Sequence, residues 1–295
     1  MRVLLMGATG VLGRETVPTL LTEGHRVTGL ASSVDRVAAV EALGATPAVA
    51  DMFDVDALTA VCRGHDAVVN LATRIPVGRA MLRGRNWADN DRLRAEGSRT
   101  VAMAARAAGV GILVQEGVSL VYADGGDTQL DERARLDPAG PTVASVTAHV
   151  NAESFAGEGR TAVFLRIATL HGDDAISRWM LRGARRGGPA YFGDPDGWLT
   201  AIHPFDAASG VVAALAAPTG VYNLGATPVR KRDFGTVIAA AAGARRARSL
   251  PRPLTRGFLA ILARSQRVSS AALTEATGWL PKRTEPSVDW FPAMS

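Results

Sequence analysis

The strongest constraint on this chain's fold sits at its start. An apolar run, Arg2-Val3-Leu4-Leu5-Met6, leads straight into Gly7-Ala8-Thr9-Gly10-Val11-Leu12-Gly13, and a helical pattern covers Val11 to Thr22. A short apolar run ended by glycine reads as a buried strand. Each glycine of such a strand-to-helix turn has its own task. Gly7 permits the tight exit from the strand, Gly10 lets a ligand approach the backbone, and Gly13 lets the helix pack against the sheet. Free N–H groups and the dipole at the helix start favour an anion. The motif therefore predicts that Gly7, Thr9, Gly10, Val11, Leu12 and Gly13 hold the pyrophosphate of a dinucleotide.

The alternation continues beyond the motif. Apolar runs predict strands over 25–30, 46–50, 67–71, 111–115 and 162–167, with helices over 34–43, 55–62, 90–108 and 143–156. Strands alternating with helices imply βαβ units and, with right-handed crossovers, an α/β fold with a doubly wound parallel sheet of the Rossmann kind. The pattern becomes irregular after Leu170. Residues 1–171 with 201–225 are read as the dinucleotide-binding domain. Residues 172–200 with 226–295 are read as a smaller C-terminal lobe that closes over the strand ends and binds substrate.

Composition removes several classes. With 295 residues, 47% hydrophobic and 21% charged, the chain has ample material for a core and is neither disordered nor fibrous. Cys62 is the only cysteine, which excludes a disulfide framework and a Cys-based zinc site. No His/Asp/Glu set has metal-ligand spacing, and no serine nucleophile elbow is present. The apolar start is too short for a signal peptide or a membrane span, so a cytoplasmic protein without membrane contact is expected. The net charge of +5 is uneven: residues 178–267 hold fourteen Lys/Arg against four Asp/Glu. Without interleaved aromatics or a nucleic-acid motif, this basic region points to an anionic cofactor or substrate or to a solvated face, not to nucleic acid. A monomer or homodimer is expected.

Cofactor choice is read at the end of the second strand, where an acid would meet the ribose hydroxyls of NAD. Here the chain reads Leu30-Ala31-Ser32-Ser33-Val34-Asp35-Arg36. Small hydroxyls stand at the strand end and Arg36 follows a turn later, which favours the 2′-phosphate of NADP, with NAD as the alternative. Ser32 and Arg36 are the residues expected to read it.

Taken together, these segments resemble the extended short-chain dehydrogenase/reductases, in the NAD-dependent epimerase/dehydratase branch. The resemblance rests on the glycine motif, on Leu165-Arg166 with His171-Gly172, on Ile202-His203-Pro204-Phe205-Asp206 and on Val221-Tyr222-Asn223-Leu224-Gly225. It implies that Asp51, with Met52 beside it, meets the adenine, and that Leu71 and Ala72 flank the nicotinamide. Val121-Tyr122 is similar to the family's Val-Tyr-Gly segment. The family's catalytic pair, Tyr-x-x-x-Lys, has no match. Counting back from Glu153, the Tyr position falls on Ser145 and the Lys position on His149. The pattern Asn-x-x-Gly-Thr is also altered, to Arg94-Ala95-Glu96-Gly97-Ser98. The chain reads as an atypical member with an intact cofactor motif.

Four residues are candidates to replace the missing pair. Glu116, at the end of the fifth strand, can move protons if apolar walls raise its pKa, or it pairs with an arginine. Ser119 can bond a substrate carbonyl. Tyr122 can supply a phenol or merely line the pocket. His149 titrates near neutrality and either reaches the ligand or is a core histidine. Trp179, Arg182, Tyr191 and Trp198 are read as a substrate wall for an aromatic or anionic small molecule, against the alternative of an amphipathic helix with exposed arginines. The leading expectation is an NADP(H)-binding oxidoreductase acting on a small carbonyl or hydroxyl compound. The alternatives are a non-redox isomerase, dehydratase or cyclase using Glu116 and His149, and a non-catalytic nucleotide sensor.

Overall fold

A computed structural model describes residues 1–294. Seven parallel strands form the central sheet: β1 (Arg2–Met6), β2 (Arg26–Ala31), β3 (Thr46–Val49), β4 (Ala67–Asn70), β5 (Ile112–Val118), β6 (Thr161–Ile167) and β7 (Gly220–Leu224). Their spatial order is β7-β6-β5-β4-β1-β2-β3. The order reverses between β1 and β4, and open α/β sheets bind ligands at the strand ends beside such a switch. The fold is therefore the doubly wound Rossmann arrangement expected from the alternation.

Period-2 alternation sorts the core onto two faces. Val3 and Leu5 of β1 pack with Val69, Val114 and Leu165 beneath α1 (Val11–Thr22) and α8 (Pro204–Ala213). Leu4 and Met6 pack with Val68 and Leu113 beneath α3 (Val55–Cys62), α5 (Ser98–Ala107) and α6 (Val143–Glu153). Burial on both faces is why these strands read as continuous apolar runs. A third apolar cluster gathers α7 (Ala175–Arg185) and α9 (Lys231–Ala241) around Leu181, Tyr191, Phe234, Ile238, Trp290 and Phe291. Asp174 caps α7 by accepting from the N–H groups of Ile176 and Ser177. His203 caps α8, its Nδ1 accepting from Phe205 N–H at 3.2 Å. Buried Asp206 accepts from Lys282 N–H at 2.7 Å and so ties the C-terminal segment to α8.

Three sequence expectations are refined here. The helix read over 90–108 runs unbroken over 88–107, but as α4 (Ala88–Arg92), a π-helical turn Leu93–Gly97 and then α5. Strand five runs to Val118, so Glu116 lies inside β5 rather than beyond its end. One interaction joins the first two. Arg94, in the π turn, donates from Nε and Nη2 to Glu116 Oε1 and Oε2 at 2.9 and 3.0 Å, with both side chains under 10% exposed. A π turn presents one extra residue inward, and here that residue is a guanidinium bound to the sheet. The helix read over 34–43 likewise opens as a 3-10 turn, Val34–Arg36, before a short α2 (Val37–Glu41).

Removing one partner of a buried bidentate pair strands the other charge. Arg94→Met should therefore cost about 3–5 kcal/mol in urea unfolding, and the double change Arg94→Met/Glu116→Leu should recover most of the loss. A double variant no more stable than the single one would show that the pair does not act as a unit.

His171 is buried beside Phe234, with ring centroids 4.9 Å apart, and Asp174 only partly opposes the burial that pushes its pKa down to about 4. The unfolded chain takes up this proton at higher pH than the folded one does. The stabilising contribution is thus present above pH ~6.5 and is lost as pH falls towards 4, in total about 3 kcal/mol. In His171→Gln, the slope of unfolding free energy between pH 6.5 and 4.5 should be shallower than in the wild type; an unchanged slope would remove His171 from the account.

Candidate functional site

The site begins at the turn between β1 and α1. Gly7 has φ +77°, and a Cβ there would stand 2.7 Å from Leu71 O and 2.9 Å from Ala72 N. A Cβ on Gly13 would collide with the carbonyl oxygens of Gly7 and Ala8. The two outer glycines thus let the turn, α1 and the β4 end close on one another. Gly10, between them, is the N-cap of α1 and has no side-chain cap bond. The first-turn N–H groups of α1 are left to meet a ligand, and anions suit that position.

A cavity of about 840 Å³ opens over this turn and continues along the strand ends. Gly7, Thr9, Gly10, Val11 and Leu12 line it, followed by Ser32 and Arg36 past β2 and by Asp51 and Met52 past β3. Gly13 does not line it and serves helix packing alone. No carboxylate stands at the end of β2, which closes on Ala31. Asp51 Oδ1 accepts from Phe53 N–H at 3.0 Å, and the Arg92 guanidinium lies 3.9 Å from the Phe53 ring centroid. Leu71 and Ala72 carry the lining past β4, where Asn70 accepts from Ala72 N–H at 3.2 Å and donates to Gln115 Oε1 at 2.8 Å. Glycine geometry, an uncapped helix start and the absence of an acid at β2 fit a pyridine dinucleotide.

The four candidate catalytic residues separate into two pairs. Glu116 and Ser119 line the cavity. Glu116 is held by Arg94, which lines it too, so of its two readings the pairing with an arginine is the one seen. The Ser119 side chain is almost fully buried and makes no hydrogen bond to the described residues. Tyr122 and His149 do not line the cavity. The Tyr122 hydroxyl donates to Asn223 Oδ1 and accepts from Arg166 Nη1, both at 2.7 Å, and burial raises its pKa. His149 stacks on Phe164, with centroids 4.6 Å apart, its Nε2 3.2 Å from Glu153 Oε1; burial lowers its pKa while Glu153 opposes.

Phe164 explains much of this rearrangement. A Cβ on Gly117 would collide with the Phe164 ring and lie 2.8 Å from Ser145 Oγ. No side chain therefore fits at 117 while Phe164 is present. Ser145 is buried beneath β5 and accepts from Val118 N–H at 3.1 Å. Neither Ser145 nor His149, the positions matched to the family's Tyr and Lys, lines the cavity.

The proposed substrate wall is split by helix geometry. Ile176, Trp179, Met180 and Gly183 of α7 line the cavity, spaced as one helical face. Arg178, Arg182, Arg185 and Arg186 occupy the opposite face and border a separate outer groove. Arg182 is thus corrected from cavity wall to outer surface, while Trp179, Tyr191 and Trp198 line the cavity. Sequence reading missed Arg94 and Lys231 as lining residues. Arg94 was signalled by the altered Asn-x-x-Gly-Thr pattern; Lys231 had no signal beyond being one of only two lysines. No group of His, Cys, Asp and Glu among the described residues can hold a metal ion.

Comparisons with known proteins agree with this geometry. The pattern of the NAD dependent epimerase/dehydratase family matches residues 3–225. A 3-diazoavenalumate denitrifying reductase from Streptomyces is 34% identical over 181 residues, 58% of this chain and 57% of that protein, so the match spans little over half of the reductase. An uncharacterized protein, C2A9.02, from Schizosaccharomyces pombe is 28% identical over 227 residues, 73% of this chain and 70% of its own. Among solved structures, gox2253 superposes with TM-score 0.79 at 21% identity, covering 98% of this chain and 95% of that one. A UDP-glucose 4-epimerase from Thermotoga maritima, bound to UDP-glucose, superposes with TM-score 0.76 at 18% identity, covering 96% and 94%. Since the matched span takes in the glycine turn and runs through β7, the chain belongs to the NAD dependent epimerase/dehydratase family.

Proposed function

We propose that this protein is an NADP(H)-dependent oxidoreductase acting on a small carbonyl or hydroxyl compound, and that it works without the family's Tyr/Lys pair. One observation carries the reading: a single cavity runs from the open N-terminus of α1, past Leu71 and Ala72, to Ser119 and on to Tyr191 and Trp198. It has room along one line for a dinucleotide and for a second molecule. In this reading residues 1–171 with 201–225 hold the nucleotide, and 172–200 with 226–295 form the substrate lobe.

The bound dinucleotide supplies hydride exchange at its nicotinamide. The rest falls to the chain. N–H groups of the first turn of α1 hold the pyrophosphate, and Ser32 and Arg36 hold the 2′-phosphate. Asp51 and Met52 border the adenine; Leu71 and Ala72 keep water from the reacting face. Ser119, with an unengaged hydroxyl, donates to the substrate oxygen and polarises it. Arg94 fixes Glu116 beside Ser119 and keeps a polar, ordered floor. Tyr122 is engaged by Arg166 and Asn223 and has a structural part. The non-redox alternative is less well supported, because His149 lies outside the cavity and Glu116 is committed to Arg94. The Streptomyces relative is named a reductase, which also supports the redox reading.

Calorimetry should show NADPH bound more tightly than NADH. Arg36→Ala should weaken NADPH about tenfold while leaving NADH unchanged, since the lost guanidinium meets only the extra phosphate. Uptake of neither nucleotide would sink the cofactor assignment.

On a panel of small ketones and aldehydes, followed by loss of reduced-nicotinamide absorbance, Ser119→Ala should lower kcat about 10²-fold with little change in KM. Tyr122→Phe should keep kcat within about threefold yet lower the unfolding midpoint, because it leaves Asn223 without its buried donor. The reverse pattern would move the role of polarising the substrate oxygen to Tyr122.

A further inference from the structure

The C-terminal elements bring a buried cation to the cavity. Lys231 opens α9, is 1% exposed and lines the cavity. Its Nζ donates to Phe192 O at 2.8 Å and to Leu262 O at 3.0 Å. An ammonium has three protons, so one donor remains. No carboxylate lies within ion-pair distance of Nζ among the described residues. The position is electrostatically poor on two counts, which Asp124 and Asp194 at longer range only partly offset: the charge is withdrawn from water, and it sits at the positive end of a helix dipole. A lysine serving only to fill space would be better replaced by an apolar residue.

Aromatic side chains line the same cavity. The Tyr191 ring packs on Gly235, where any Cβ would collide with it. Gly235 is four residues after Lys231, one turn along the same face of α9. Phe192 supplies one carbonyl that fixes Nζ and also lines the cavity, as does Phe234. A point charge with one free donor, in a cavity that aromatic rings also line, matches a flat ring bearing one negative group.

We propose that Lys231 anchors the carboxylate of an aromatic acid, whose ring lies along Tyr191 and Phe192. This deepens the preceding proposal and rests on its placing of substrate at the C-terminal end of the cavity. Burial pushes the Lys231 pKa down to about 8, which leaves the ammonium charged at neutral pH and ready to gain from an incoming anion.

The test compares cinnamate with its uncharged amide, cinnamamide, by calorimetry on the full chain, with and without NADPH. The wild type should bind cinnamate at least about tenfold more tightly than the amide. Lys231→Met should bring the two within about twofold, leave the amide's affinity unchanged, and leave NADPH binding unchanged. A merely structural lysine would weaken both probes together. Equal binding of the two probes, failure of cinnamate to bind, or a preference that survives Lys231→Met each overturns the proposal. Should Lys231→Met not fold, a crystal structure of the wild type with 4-bromocinnamate decides: the carboxylate within about 3.2 Å of Nζ supports it, and a carboxylate elsewhere overturns it. Failure of the wild type to take up NADPH, with the cinnamate preference intact, would count against the cofactor reading alone.

Discussion

The first turn of α1 lies so close to the β1 and β4 ends that neither Gly7 nor Gly13 has room for a methyl group. Everything downstream depends on that contact. It sets the axis of α1 against the sheet, leaves the uncapped N–H groups facing the cavity, and places Leu71 and Ala72 directly opposite. A side chain at 13 would lift the helix off the turn and carry its N–H groups away from the ligand they are placed to meet. Close backbone packing here is thus a stability term and a binding term at once.

On that scaffold two pairings shape the cavity and the space beneath β5. Phe164 fills the space under β5 that Gly117 vacates, stacks on His149, and leaves Ser145 bonded to the Val118 N–H group. Arg94, in a π turn, reaches across to Glu116. Each side chain makes sense only with its partner: the Phe164 ring requires glycine at 117, and a buried guanidinium requires the carboxylate. The result is a polar floor made from an ion pair, with Ser119 as the one unengaged hydroxyl among the residues first weighed for chemistry.

The α7 helix shows how far pattern reading reaches. Its arginines and tryptophan lie within one stretch, and composition alone places them together. The 100° step between residues puts Trp179 on the cavity and Arg182 on the outer groove. Which face turned inward depended on where α9 and the Trp290 cluster packed, and those contacts come from residues far along the chain. The π turn inside the helix read over 90–108 was hidden for a related reason. Periodicity was continuous through it, and only the distant Glu116 gives a physical cause for the extra residue in the turn.

Local chemistry was decisive wherever neighbouring residues set the geometry. The parallel sheet follows from apolar runs alternating with helical stretches, and the tight turn between β1 and α1 from three glycines between strand and helix. Tertiary structure decided what long-range packing controls: that Tyr122 spends its hydroxyl on Asn223 and Arg166, that Glu116 meets a guanidinium, and that Lys231 lines the cavity with its ammonium on two backbone carbonyls. The physical reason is that a side chain's electrostatic role is set by its partners, and here those partners lie 22 to 101 residues away along the chain.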